Sequence, residues 1–267
     1  MTFLGLVKNF FTHKDFLPPR SEIPGMLFSP LHFVVSAIVL AVFVYVSYRL
    51  IKGNEKTMKV TLTVLWGVTV FLEIVKLFWE IFAGREVYVF VQGVLPLYPC
   101  SIFLFAFPLA VWGKGLVKHA VSAYVCILGL MGAAVNFFYP ANVMGEYPCI
   151  SFAGLLTLFT HGVMLTSALV LLFRRELRFD NVDSIEKLLA PCVPVLIFSI
   201  PVNIVNFTCD ADYMFFKCDS FFLKPIGDAT PDYVTVIIMY VLYIAIHVLP
   251  FLPSYISNLK KQREKAE

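Results

Sequence analysis

The sequence predicts an all-α fold, a polytopic membrane bundle of seven transmembrane helices with the N-terminus outside and the C-terminus cytoplasmic. Three observations predict it. Hydrophobic residues make up 59% of the chain and charged residues only 15%, against roughly 25% charged in soluble domains. A mean hydropathy of +0.81 with 27 phenylalanines describes a chain solvated by lipid. Seven apolar stretches meet or approach the roughly 20 residues that a helix needs to cross a hydrocarbon core about 30 Å thick, and no strand-like alternation is sustained enough for a barrel.

Residues 1–27 read as an amphipathic N-terminal arm. Phe3, Leu4, Leu6, Val7, Phe10 and Phe11 recur at near-helical spacing until Pro18, Pro19 and Pro24 stop the pattern. An interfacial helix and a disordered tail both fit this stretch. Lys8, His13, Lys14 and Asp15 interrupt its apolar residues, and no small-residue cleavage site follows, so no signal peptide is expected.

The expected spans are about 29–51, 60–82, 94–112, 116–138, 149–173, 188–208 and 233–253, within a transmembrane domain over 28–258. Only Gly113-Lys114-Gly115 separates the third span from the fourth, which requires a tight antiparallel hairpin. Residues 259–267 form a basic cytoplasmic tail. Loop charge sets the orientation. Arg49, Lys52, Lys56, Lys59, Lys114, Lys118, Arg174, Arg175, Arg178, Lys187, Lys260, Lys261, Arg263 and Lys265 fall on one side. Lys8, Lys14, Arg20, Arg85, Lys217 and Lys224 fall on the other. The larger group belongs in the cytoplasm, and an odd number of spans then puts the N-terminus outside. The chain is expected to be a multi-pass protein of the cell membrane with membrane lipids as its partners. A net charge of +3 is too small to argue for nucleic acid, and the oligomeric state is not legible. Six cysteines without a CxxC or a His–Cys spacing of the zinc type give no metal signal, and no cofactor is expected.

Ionisable residues inside a bilayer are costly, so each invites a functional hypothesis. Glu73, Lys76 and Glu80 share one face of the second span at spacings of three and four, where Lys76 can pair with either carboxylate. They read as a self-neutralised pair with Glu80 at the rim, or as a charged site centred on Glu73. His161 lies within the fifth span; it is a hydrogen-bonded packing residue or, with a near-neutral pKa, a general base. Asn136, Asn203 and Asn206 sit near the outer ends of the fourth and sixth spans, where asparagine serves as interhelical glue or lines a site. His247 reads as structural. With Cys100, the residues Glu73, Lys76, Asn136, His161, Asn203 and Asn206 fall in one depth band between midplane and outer face. That clustering predicts an outward-facing polar cavity. The outer loop 209–232 adds Asp210, Asp212, Asp219, Asp228 and Asp232. Cys209 and Cys218 in it are free to join if that face is oxidising, although their spacing does not demand it.

Leu95-Pro96-Leu97-Tyr98-Pro99-Cys100 opens the third span. Proline suits a helix start because the first N–H groups have no intrahelical partner, so Cys100 falls in a rigid first turn. A buried cysteine is usually a small hydrophobe. A helix N-terminus with a nearby base is what makes one a nucleophile.

This motif, followed by Gly129 and Gly132, His161-Gly162, Asn203, Asn206, Asp212-Tyr213-Met214-Phe215, Pro225, Pro231-Asp232-Tyr233 and Pro250-Phe251, resembles the YwaF family of integral membrane proteins over about residues 73–253. Its members have seven spans, and a eukaryotic relative is a cysteine-dependent acyltransferase acting on phospholipids. The resemblance implies Cys100 as acyl acceptor and His161 as its base. Tyr98 stands where the family commonly has a histidine, and Asp212 where it has an asparagine. Glu73, Lys76, Asn136, Asn203, Asn206 and Asp212 are the candidates for binding or orienting a substrate. Lipid acyl transfer is the leading function. A non-enzymatic small-molecule transporter or binding protein using Glu73 and Lys76 is its rival, and a scaffold without a ligand is a third reading.

Overall fold

The computed structural model describes residues 9–83, 93–180, 182–218 and 223–264. Phe3, Leu4, Leu6, Val7 and Lys8 of the arm lie outside them, as do Arg85, Asp219 and Lys265. Among the described residues every regular element is helical.

Helix α1, Pro30–Lys52, starts where its sequence provides a cap: Ser29 accepts from the His32 N–H at 3.2 Å and Pro30 takes the first turn. Arg49 and Lys52 close it, folding back to the hydroxyls of Tyr45 and Tyr48 at 2.9 and 2.6 Å. Positive charge is favourable at a helix C-terminus. Helix α2, Glu55–Ala83, is capped by Asn54, which accepts from the Thr57 N–H at 2.7 Å.

Helix α3, Pro99–Trp112, is shorter than the 94–112 span expected. The Pro99 ring disfavours the helical region for the residue before it, and Tyr98 is accordingly extended with φ −75° and ψ 158°. The 14 residues that remain are about 21 Å long, less than the hydrocarbon core. Helix α4, Gly115–Phe138, follows directly. Gly115 turns the chain with φ +60°, and a Cβ at Gly113 would overlap the Leu109 carbonyl.

Helix α5 is Phe152–Phe173, and α6, Val193–Cys209, continues a short helix and a 3₁₀ turn that begin at Ile185. Helix α7, Asp232–Val248, and α8, Leu252–Glu264, meet at a 59° bend rather than forming one span to 253. Pro250 and Pro253 flank the bend and supply no backbone N–H. The basic Lys260, Lys261 and Arg263 lie on α8.

By length and composition α1, α2, α4, α5 and the run Ile185–Cys209 can each cross a membrane, the bent α7–α8 pair makes a sixth candidate, and α3 is a shorter apolar helix. Large apolar side chains cover the outside of these helices: Val34, Ile38, Phe71, Phe78, Ile197 and Ile204 are all exposed. Soluble proteins do not present such continuous apolar surface to water; lipid is its solvent.

The chain divides into two compact units. Unit 1 comprises residues Met1–Leu95 and Leu130–Thr166, and unit 2 comprises Pro96–Gly129 and Ser167–Glu267. In unit 1 the buried stripe of α1 is His32, Ser36, Phe43, Ser47 and Leu50, at the spacings of one helix face. Phe43 meets α5 at Gly162 and packs edge-to-face on Phe159 with ring centroids 5.6 Å apart. Ser47 donates to the Thr166 hydroxyl at 3.1 Å. The segment from residue 9 to 27 carries two 3₁₀ turns and is tied down by side chains. His13 Nε2 is 2.9 Å from Glu80, Trp79 donates to the Phe11 carbonyl at 2.9 Å, and Lys14 pairs with Glu146 at 2.7 Å. In unit 2 the interior is aromatic, with Phe103, Phe107, Tyr124, Tyr213, Phe216 and Phe251 fully buried.

Candidate functional site

Cys100 is the second residue of α3 and is half-buried. The peptide before it is held from α4, because Tyr124, fully buried, donates its hydroxyl to the Pro99 carbonyl at 2.6 Å. The opposite support comes from α7. The His247 ring lies parallel to Tyr124, with an interplanar angle of 8° and centroids 5.3 Å apart. The hydroxyls of Tyr124 and Tyr243 are both within electrostatic range of the Cys100 sulfur.

Over this turn lies the segment that follows α6. Tyr98 packs edge-on against Tyr213 at 5.0 Å and tilts against Phe215 at 5.8 Å. Asp210, Met214, Phe215 and Cys218 have φ of 53°, 57°, 56° and 59°, the left-handed region that glycine normally occupies. Side chains hold the segment there. Asn206 donates to the Tyr213 carbonyl at 2.9 Å and accepts from its N–H at 2.8 Å. Tyr243 donates to the Met214 carbonyl at 3.0 Å, Thr235 to that of Phe216 at 2.7 Å, and Asp212 accepts from the Lys217 N–H at 2.7 Å. Both the amide nitrogen and the amide oxygen of Asn206 thus bond the Tyr213 backbone. Asn203 donates to the Tyr240 hydroxyl at 2.8 Å, and its amide oxygen is buried without a partner among the described residues.

Unit 1 carries the other candidates. Lys76 donates to Glu73 at 2.8 Å, so the pair expected on α2 forms between these two. Glu80 binds His13 instead. On α5, His161 Nδ1 is 2.8 Å from the carbonyl of Thr157. A carbonyl only accepts, so in the neutral ring Nδ1 carries the proton and Nε2 the lone pair. That is the tautomer a base at Nε2 requires. Asn136 donates to the Thr157 hydroxyl at 3.1 Å, and Glu73 is within electrostatic range of the imidazole. The glycine of the His161-Gly162 motif has a packing basis here, because a Cβ at 162 would overlap the Phe43 ring, whereas a Cβ at 132 would meet His161 only at an ordinary contact distance of 3.5 Å.

Among the sequence candidates, unit 1 brings Glu73, Lys76, Asn136 and His161 onto neighbouring helices, and unit 2 brings Asn206 and Asp212 onto the segment that packs against Tyr98. Sequence reasoning missed Tyr124 and Tyr243, which read as ordinary apolar-span aromatics. The available signal was that a buried phenol needs an acceptor. It also passed over His32 and Ser36, although an ionisable ring three residues into an apolar span was visible.

An all-helical chain whose long helices turn apolar side chains outward is a multi-pass membrane protein. The chain belongs to the TMEM164 family, whose family model matches residues 27–254. That range contains both Cys100 and His161 and takes in α1 to α7. The likeness to the YwaF family remains one of motifs. No curated protein and no solved structure matches the chain.

Proposed function

We propose that this protein is a seven-helix membrane acyltransferase in which Cys100 carries the acyl group, with its N-terminus outside and its C-terminus in the cytoplasm. The observation that carries the reading is the fixed first turn of α3, where the Tyr124 hydroxyl bonds the carbonyl one residue before Cys100. Family membership supports it, since the TMEM164 family is that of the eukaryotic cysteine-dependent lipid acyltransferase.

In this reading His161 takes the Cys100 proton, as the motif order implies, and the sulfur attacks the carbonyl carbon of a lipid ester. The C–O bond breaks, the leaving lipid hydroxyl recovers the proton, and a thioester forms on Cys100. A lysolipid hydroxyl or water then attacks the thioester, forms a new C–O bond and releases the thiol. First-turn N–H groups of α3 would stabilise the oxyanion at each attack.

The test is acyl labelling of the full-length protein in phospholipid nanodiscs. A hydroxylamine-labile acyl adduct present in wild type and absent in Cys100→Ala is the expected result. Unchanged lipid remodelling by Cys100→Ala would overturn the reading. Substrate uptake that depends on Glu73 and ignores Cys100 would instead select the transporter.

A further inference from the structure

Helix α8 leaves the end of α7 at 59°, and side chains of unit 2 hold it at that angle. Phe251, fully buried just before its first residue, stacks on Phe179 with centroids 4.7 Å apart and meets the His119 ring edge-on at 5.6 Å. Ser254 accepts from the Val182 N–H at 3.3 Å, Asn258 donates to the Val182 carbonyl at 2.9 Å, and Gln262 donates to the Asp183 carbonyl at 3.5 Å. These three residues recur every four positions, so one polar stripe ties the helix down along its length.

Opposite that stripe, at 3.6 residues per turn, lie Pro253, Ile256, Lys260 and Arg263. All four are exposed, as is Lys261 on the flank. The three cations have no ion pair among the described residues, whereas Lys118 and Lys187 of the same unit pair with Glu176 and Asp183 at 2.6 and 2.8 Å. Positive charge at a helix C-terminus offsets the dipole, but that role calls for no exposed isoleucine beside it. An apolar residue and unpaired cations on one exposed face are the pattern of a helix lying at the membrane–water boundary.

The bend sets the depth of that face. Helix α7 has 17 residues, about 26 Å, so its end falls a few Å short of the hydrocarbon boundary. Leu249, 59% exposed, and Ile256, 46% exposed, continue its apolar outer surface past that end. With α7 along the membrane normal, a helix bent by 59° advances toward water by about 0.8 Å per residue instead of 1.5 Å. Arg263 then stands about 5 Å further out than Ile256, where a straight helix would carry it about 10 Å. The headgroup layer is about 5–8 Å thick on each side, so the bend keeps the cations within it.

We infer that the exposed face of α8, Ile256 with Lys260, Lys261 and Arg263, docks on anionic phospholipid headgroups. A zwitterionic headgroup carries its own cation and offers this face no net attraction; an anionic one supplies the missing counter-charge. Under the orientation proposed above, the leaflet concerned is the cytoplasmic one, which carries the anionic lipids. The docking itself rests on the membrane-spanning helices and not on acyl transfer.

The experiment places a fluorescent reporter on this face. Full-length Ser257→Trp is reconstituted in phosphatidylcholine vesicles containing either phosphatidylglycerol or phosphatidylcholine with a quenching nitroxide near the top of one acyl chain. The signal of residue 257 is the difference from the protein without that tryptophan. Phosphatidylglycerol is expected to be preferred there by at least about fivefold, the value of one cation near an anionic surface. High salt should weaken the preference, and Lys260→Gln, Lys261→Gln and Arg263→Gln together should bring the two lipids level. The protein without the added tryptophan gives a second reading: phosphatidylglycerol should raise its unfolding temperature above that in phosphatidylcholine, and the triple substitution should remove the difference. Equal quenching by the two lipids would overturn the docking. Quenching by neither would also overturn it, leaving the face to an acidic protein or to water. A preference that survives the triple substitution would assign it to other cations and overturn the role of α8.

Discussion

Tyr124 donates its hydroxyl to the carbonyl of Pro99 at 2.6 Å. One residue therefore couples the middle of α4 to the peptide that precedes Cys100. Tyr124 is fully buried and flanked by the parallel ring of His247, which leaves it little freedom to swing away. A functional side chain is held accurately when its neighbours are themselves locked, and this contact gives the first turn of α3 such a support.

Tyr124→Phe keeps the ring and its stacking and removes only the donor. The variant is expected to lose about 1 kcal/mol of stability and to alter the alkylation rate of Cys100 by a maleimide. Mass spectrometry of the labelled peptide at timed intervals measures that rate. An unchanged rate would mean that the hydrogen bond does not govern the turn.

Gly162→Ala places a methyl group inside the Phe43 ring. Overpacking of this kind typically costs about 1–3 kcal/mol. Phe43→Leu in the same chain should recover part of the loss, giving a non-zero coupling energy in a double-mutant cycle of thermal unfolding. Additive effects would separate the two residues.

Asn206→Leu strands both polar groups of the Tyr213 peptide, and about 1–3 kcal/mol of local stability should go with each buried group left unsatisfied. Asn203→Leu gives up a single bond to Tyr240 and also removes an amide oxygen that has no partner among the described residues, so its effect should be smaller. Limited proteolysis within 210–218 compares the two. A larger effect from Asn203→Leu would contradict the geometry.

Lys217 pairs with Asp210 and holds that carboxyl below its ordinary value, through a side-chain hydrogen bond and then through charge. A carboxylate with a depressed folded pKa stabilises the fold above its unfolded value of about 3.9, and the contribution fades as pH falls through the folded value. Cleavage of the 210–218 segment by an acid-active protease should thus begin to rise only below about pH 4. Lys217→Met should abolish that acid-side dependence. Asp210 is exposed, and the effect should also weaken in high salt.

Much of this molecule was written in its hydrophobic periodicity. The long helices follow from residue spacing alone, as does a pairing of Lys76 with one of its two neighbouring carboxylates, because helix length and contacts one turn apart are local properties. The late start of α3 was also available, since Pro99 restricts Tyr98 whatever the surroundings. What spacing could not convey was which partner a side chain chooses from another part of the chain. Glu80 has Lys76 one turn away yet binds His13, which is 67 residues distant in sequence. Asn206 read first as interhelical glue and otherwise as a ligand-binding group, and only the fold shows its amide bonded to the Tyr213 backbone. His32 drew no notice although an ionisable ring three residues into an apolar span is a local signal; that its ring lacks a hydrogen-bond partner among the described residues shows only once the helices are packed.

The four left-handed residues in the segment after α6 have an energetic consequence. Each holds a conformation roughly 1 kcal/mol or more above its relaxed state, and none is a glycine. The segment behaves as a spring that Asn206, Thr235 and Tyr243 keep compressed. Once one anchor yields, the neighbouring residues have a downhill path, so release is cooperative rather than a gradual fraying from one end. Amide hydrogens from 211 to 218 should then exchange in a single correlated event, at a free energy below that of the helices that grip them. The stretch beside Cys100 is built to open as one piece.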